Sequence, residues 1–425
     1  MKKILYGLLV LIALLSALKW FVYYSFRINY YEILIVIFVG FYLISNYYKT
    51  TVDFGLRKEL KAYLLFIWGW FFLAILSGGN ILFYPQGAEA YSFYLKGLLQ
   101  LFVYFVFFTF LIFYLCSISP KKRQTLLNWF LVGVVISSIF GFTQLVLIIR
   151  YGIDIDENVS RLLSMSNNTG GFINFARYTY GNFYRLNGIT GDPNVHASYS
   201  LTALPLFLFM YLENKSIKHL ILFLIVFISL ILSMSVSGLV GFAFSFLILV
   251  ILCMRYIKFS YFILFSFLFI ILLLFYLPYN EQVGYFLKVK TSPEGTGKSH
   301  FDIAVNSLKI GMKYPLGVGY NNFSIAYENQ YGISGYNPHN TWIGYFVQMG
   351  FIGFLYQVIF SIFIIIKCFK KKTVLSQVFI ASFVGICIAS FGYQVLDMFF
   401  VQLFITMFFT LIMLGQDKNK LLEQQ

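Results

Sequence analysis

His339 stands in Pro338-His339-Asn340, where a polar stretch gives way to the apolar run TWIGYFVQMGFIG, and it is one of only four histidines in the chain. A neutral imidazole accepts a proton near pH 7, and the proline before it restricts the chain entering the next helix. His339 is expected at the mouth of that helix, as a base or as an interfacial side chain. The residue types alone leave both readings open. A second polar stretch, RLNGITGDPNVHA, begins at Arg185. Its Asp192-Pro193 pair predicts a helix start, with aspartate as N-cap and proline at the first helical position. Taken plainly, this is a cap and a turn. Taken chemically, helix N-terminal amides, a glycine-permitted backbone and Arg185 present an anion site, because arginine holds phosphate through two parallel hydrogen bonds. His196, one turn further on, is placed to bond to Asp192 in a structural role.

A third stretch, KYPLGVGYNNF at 313–323, carries Pro315, Gly317 and Gly319 as marks of tight turns. Lys288, Lys290, Lys298, Lys309 and Lys313 lie in the same loop. Such lysines are by default a solvated basic face, although an anionic lipid diphosphate would use one or two of them. Gly344 and Gly350 flank Gln348, and small residues there permit close helix packing.

The elements that must position these residues are membrane helices. The chain is 60% hydrophobic and only 11% charged, against about 25% charged in a soluble domain. About twelve spans are predicted, near 4–25, 30–47, 60–77, 97–118, 126–149, 194–212, 219–236, 238–256, 260–279, 340–366, 374–392 and 395–415. The opening MKKILYGLLVLIALLSALKW imitates a signal peptide but reads as an uncleaved first span, since more spans follow. With the N-terminus cytoplasmic, the inner segments hold 19 of the 31 basic residues against five of the 16 acids. Nearly all of the net charge of +15 then lies on that face, as the positive-inside rule requires. The basic balance therefore sets topology and does not point to nucleic acid. Both termini are expected in the cytoplasm.

In this orientation two long loops, 150–193 and 280–338, share the outer side, and long loops are usually functional. The second contains a helical stripe, Phe301, Val305, Leu308 and Met312, suited to the membrane surface. The bundle carries almost no charge besides Lys19, which can snorkel, and Asp397, expected either to reach the site or to pair with a basic loop residue. Cys116, Cys253, Cys368 and Cys387 show no metal or disulfide spacing and read as packing residues. No nucleotide fingerprint, HExxH, EF-hand or DxD-type cluster occurs, so no cofactor or essential metal is expected.

RLNGITGDPNVHA (185–197), LSMSVSGLVG (232–241), YPLGVGYNNF (314–323) and PHNTWIGYFVQMGFIG (338–353) together resemble the O-antigen ligase and O-antigen polymerase superfamily. The resemblance covers about 185–353. It implies an all-α polytopic bundle of the glycosyltransferase C type, forming a single integral membrane domain over 1–425. It also implies transfer of a glycan from undecaprenyl diphosphate to a sugar hydroxyl outside the cytoplasmic membrane. Arg185 would hold the diphosphate, His339 would deprotonate or orient the acceptor hydroxyl, and Asn340 would fix the site. Asn194 and Asp192 would shape the pocket, and Gly319 joins the binding set through its motif. Where such motifs usually carry arginine, this chain has Val236 and, in the second loop, Lys298. Lys298 or Lys290 would then act as a point charge without bidentate geometry. Implied partners are the lipid-linked donor glycan, an acceptor glycan, membrane lipids, a chain-length regulator and a flippase. The leading expectation is polymerisation of repeat units; the alternative is a ligase moving finished glycan to lipid A core or another acceptor. A flippase or transporter would place charges or broken spans at the bilayer midplane.

Overall fold

Runs of Leu, Ile, Phe and Val long enough to cross lipid satisfy their backbone only within helices, and helix dominates the described chain. The computed structural model describes residues 2–18, 21–23, 28–46, 56–83, 87–153, 179–180, 183–253, 296–333 and 338–415. The order begins with α1 (Lys2–Leu14), a small antiparallel ribbon of β1 (Phe21–Tyr23) and β2 (Ile28–Asn29), α2 (Tyr30–Asn46), α3 (Lys58–Ser77) and α4 (Gly79–Phe83). It continues with α5 (Ala88–Ser117), α6 (Pro120–Tyr151), a second ribbon of β3 (Thr179–Tyr180) and β4 (Phe183–Tyr184), α7 (Pro193–Leu201) and α8 (Leu204–Asn214). Then come α9 (Ile217–Leu232), α10 (Val236–Cys253), α11 (Thr296–Lys313) and α12 (Phe323–Tyr331). The last three are α13 (Thr341–Phe369), α14 (Val374–Ala389) and α15 (Phe399–Met413).

Six helical segments among the described residues are long and apolar enough to cross a membrane, and five further apolar helices are shorter. The chain is a polytopic α-helical membrane protein. Eleven of the predicted spans coincide with helices; the one near 260–279 lies outside the described residues. The first span is shorter than predicted, because helix gives way to a turn after Leu14. The sixth is two helices. Pro205 cannot donate to the Leu201 carbonyl, and the chain breaks at Thr202–Ala203. The junction expected at Ser237/Gly238 lies earlier, at 233–235.

Aromatic side chains fill the interior. Phe404 packs against Phe379 and Phe408 at centroid separations of 5.4 and 4.6 Å, and the Tyr63 hydroxyl meets Thr406 Oγ1 at 2.9 Å. Where helices approach most closely, glycines face one another. A Cβ on Gly241 would lie 2.6 Å from the Gly385 carbonyl oxygen, the small-residue contact that membrane helices favour.

The third break is the most informative. α13 contains Gly350 at φ +72°, ψ −174°, a backbone conformation open to glycine and strained for other residues. The break frees carbonyls in the middle of a span, and the 314–322 loop takes them. Val318 N–H donates to Val347 O at 2.9 Å, and Gly319 N–H to Gln348 O at 3.1 Å. In return Phe351 N–H donates to Pro315 O at 3.2 Å, and Gln348 Oε1 accepts from Asn321 N–H at 2.6 Å. The glycine-rich stretch is thus a plug seated on a broken helix. A Cβ at position 350 would lie 2.1 Å from Pro315 O. Gly350→Ala should therefore expel the plug, reduce the folded yield in membranes and lower the thermal midpoint by more than the usual glycine-to-alanine change in a helix. Detergent-solubilised melting of the two forms checks this.

The predicted amphipathic segment is α11. Phe301, Leu308 and Met312 are exposed along it. Ile303, Ser307 and Ile310 are buried, and Gly311 packs on Phe346 of α13. The outward stripe suits a helix lying in the membrane interface.

Candidate functional site

The end of the first loop is buried. Asp192 caps α7, its Oδ1 accepting from Asn194 N–H at 2.7 Å and Val195 N–H at 3.2 Å, with Pro193 in the first turn. This is the helix start the sequence predicts. Arg185 is 8% exposed. Its Nε donates to Ser233 O at 2.8 Å, and its Nη2 donates to Asn194 Oδ1 at 3.2 Å and Met234 O at 3.4 Å. Ser235 Oγ donates to the same Asn194 oxygen at 2.9 Å. Arg185 and Asn194 therefore tie the 185–194 segment to the turn between α9 and α10, and Arg185 does not line the main cavity. His196 bonds Ser137 Oγ and Ser229 Oγ, both at 3.1 Å. Its side chain pairs with serines of two neighbouring helices, and only its backbone N–H meets Asp192, at the carbonyl.

The second loop delivers His339. Asn340 is the N-cap of α13, its Oδ1 accepting from Ile343 N–H at 3.0 Å while its Nδ2 donates to Phe391 O at 2.9 Å. This cap leaves the preceding residue outside the helix, and His339 takes φ +46°, uncommon for a side-chain-bearing residue but found for histidine and asparagine. Two rings flank its imidazole. His300 of α11 lies edge-on at 4.4 Å between centroids, and Tyr393 lies at 5.9 Å. Tyr393 Oη donates to Asp192 Oδ2 at 2.8 Å. The two sequence stretches, about 150 residues apart, thus meet through one tyrosine. The Gly319 turn sits on α13 as described. Lys290 lies outside the described residues, as does the Lys298 side chain.

His339 faces a cavity of about 340 Å³, within the range of small-molecule sites. Around it stand Tyr393, Gln394 and Asp397 from the α14–α15 turn, Tyr320 and Asn321 from the plug, Thr190 from the first loop and Val195 from α7. Tyr31, Gln100, Tyr104 and Ser16 complete the polar lining. Asp397 reaches this site. Its Oδ2 accepts from Gln394 Nε2 at 2.7 Å, and among the described residues no basic side chain pairs with it. Burial pushes its carboxyl up from its ordinary value, and the Gln394 bond partly offsets this. Burial, reinforced by Asp397, pushes the Tyr320 phenol up as well. Of the tyrosines in the described part of the two long loops, Tyr320 lines the cavity. Tyr327 and Tyr331 stack on each other at 4.9 Å in α12. Sequence reading missed His300, Tyr393, Gln394 and the α2–α5 side chains. The one available signal was polar residues at the outer ends of apolar runs, which equally mark interfacial anchors.

Residues 220–358 match the O-antigen ligase family. The match spans the α9–α10 turn, the plug, His339 and the first half of α13, about a third of the chain. No curated protein matches the chain.

Proposed function

We propose that the protein polymerises undecaprenyl-diphosphate-linked polysaccharide repeat units at the outer face of the cytoplasmic membrane, without a metal. The observation that carries this reading is the cavity that joins His339 to the Asp192–Tyr393 contact at one end of the bundle. In the reaction an acceptor hydroxyl oxygen bonds to the anomeric carbon of the donor as the bond from that carbon to the diphosphate breaks. The diphosphate leaves with the electron pair, and the hydroxyl proton passes to His339. A diphosphate is a good leaving group, so the remaining task is to stabilise the charge growing on it. Arg185, with Lys298 or Lys290, supplies cations for that charge. Asn340 and Gly319 hold the loop frame, and Asp192 and Asn194 hold the first loop. The lipid-linked donor, an acceptor glycan, a flippase and a chain-length regulator are the partners of this reading.

A ligase acting on lipid A core or another acceptor shares the donor chemistry and is the second reading, and the family match fits either. Transport is disfavoured. Transporters break helices to offer backbone groups to their cargo, whereas the carbonyls freed at Gly350 are taken by the plug. Deleting the gene and resolving the surface glycan on a gel tests the proposal. Single repeats attached to the acceptor are expected. Full-length chains stranded on carrier lipid would replace polymerase with ligase, and an unchanged ladder would remove both.

A further inference from the structure

We infer that the second polar wall of the cavity, built by Tyr31, Gln100 and Tyr104 and anchored by Glu32, is a sugar-binding subsite that holds the terminal residue of the acceptor glycan and selects it. The inference rests on the glycan-transfer reading and deepens it. The wall comes from α2 and α5, far from residues 220–358, where the family match lies.

The hydrogen bonds of this wall have one consistent direction. Glu32 Oε1 accepts from Gln100 Nε2 at 2.6 Å and from Tyr104 Oη at 2.8 Å. Gln100 Nε2 also donates to Tyr104 Oη at 2.9 Å. Glu32 Oε1 accepts both bonds, so it fixes the amide orientation. Both amide hydrogens of Gln100 are engaged, and Gln100 Oε1 is left as an acceptor at the cavity. The Tyr104 hydrogen is spent on Glu32, so Tyr31 Oη, 3.2 Å away, donates to Tyr104. The Tyr31 ring is held by stacking on Phe399 at 4.6 Å and 6°. A carboxylate-anchored amide acceptor beside fixed aromatic rings suits a sugar, which offers hydroxyl donors and apolar C–H faces.

The electrostatics choose the acceptor over the donor's diphosphate. Among the described residues, no lysine or arginine lines this cavity, and its one carboxylate is Asp397. A dianionic leaving group is poorly served there, whereas a neutral sugar is well served. The reaction needs one acceptor hydroxyl at His339, so the other hydroxyls require partners elsewhere on the same ring. Holding α2 to α5 would explain the Glu32 bonds but would not require Gln100 and Tyr104 to face a cavity.

The test uses the full-length protein in detergent and, as probe, the repeat-unit oligosaccharide released from the organism's own surface polysaccharide and freed of lipid diphosphate. Its binding is measured by saturation-transfer NMR, and its use as acceptor by transfer from lipid-linked donor. Wild type and His339→Ala should both bind the oligosaccharide. Gln100→Leu should weaken binding about tenfold, the loss of one hydrogen bond to the sugar, and raise the acceptor KM similarly while leaving the donor KM unchanged. Tyr104→Phe, which keeps the ring, and Glu32→Gln, which acts through its two partners, should weaken it too while the protein stays folded. Equal binding by Gln100→Leu and Tyr104→Phe, no binding by wild type, or a rise in donor KM in place of acceptor KM would each overturn the subsite. Binding that follows this pattern in a protein showing no transfer would keep the subsite and defeat the transfer reading alone.

Discussion

Replacing His339 by alanine is expected to lower glycan transfer by about 10²–10⁴-fold, the usual contribution of a positioned general base, while the protein still inserts and accumulates. The expectation follows from where the imidazole stands. It is outside α13 by one residue, at the cavity, with Tyr393 at 5.9 Å and His300 at 4.4 Å. A neutral imidazole there accepts a hydroxyl proton near pH 7. The backbone complicates a simple alanine test, because φ +46° costs alanine more than histidine. Asparagine tolerates that conformation and cannot act as a base. His339→Asn should therefore be as inactive as His339→Ala but as stable as wild type. Glycan ladders read alongside immunoblots of the membrane fraction decide the matter. Long chains from His339→Asn would make the residue an interfacial anchor and remove the base from the mechanism.

The membrane fold was legible because one signal, apolar run length, dictates it. Eleven predicted spans carry helices, and Asp192-Pro193 starts α7 as its residue types require. The contacts that build the site lie between residues distant in the chain, and no local pattern announces them. Gly350 in an apolar run reads as a packing glycine, and its role as a helix break depends on Pro315 thirty-five residues earlier. Glu32 and Gln100 stand 68 residues apart in the chain with no local pattern linking them, and the bundle brings them to 2.6 Å. Asp397 shows the same ambiguity resolved differently. Its neighbours prove to be a glutamine and a cavity, where a loop cation was one of two expectations.

Arg185→Ala is expected to remove long-chain glycan, by about 10²-fold or more, and also to destabilise the protein. Anion binding alone would not predict the second effect. The guanidinium is buried, and Nε and Nη2 satisfy the Ser233 and Met234 carbonyls and Asn194 Oδ1. Truncation leaves buried acceptors without their donor, at about 1–3 kcal/mol each. It also releases Asn194, which shares its oxygen with Ser235. The first loop should then lose its register against the α9–α10 turn, and with it the Asp192–Tyr393 contact beside His339. Arg185→Lys separates the two roles. Lysine keeps a charge for the diphosphate but lacks the planar fork that reaches three acceptors. It should recover little of the melting midpoint. If charge near the diphosphate is the greater need, it should recover part of the transfer rate. An Arg185→Ala protein that melts like wild type would show that these bonds contribute nothing to stability, and one that also makes normal chains would take Arg185 out of the site.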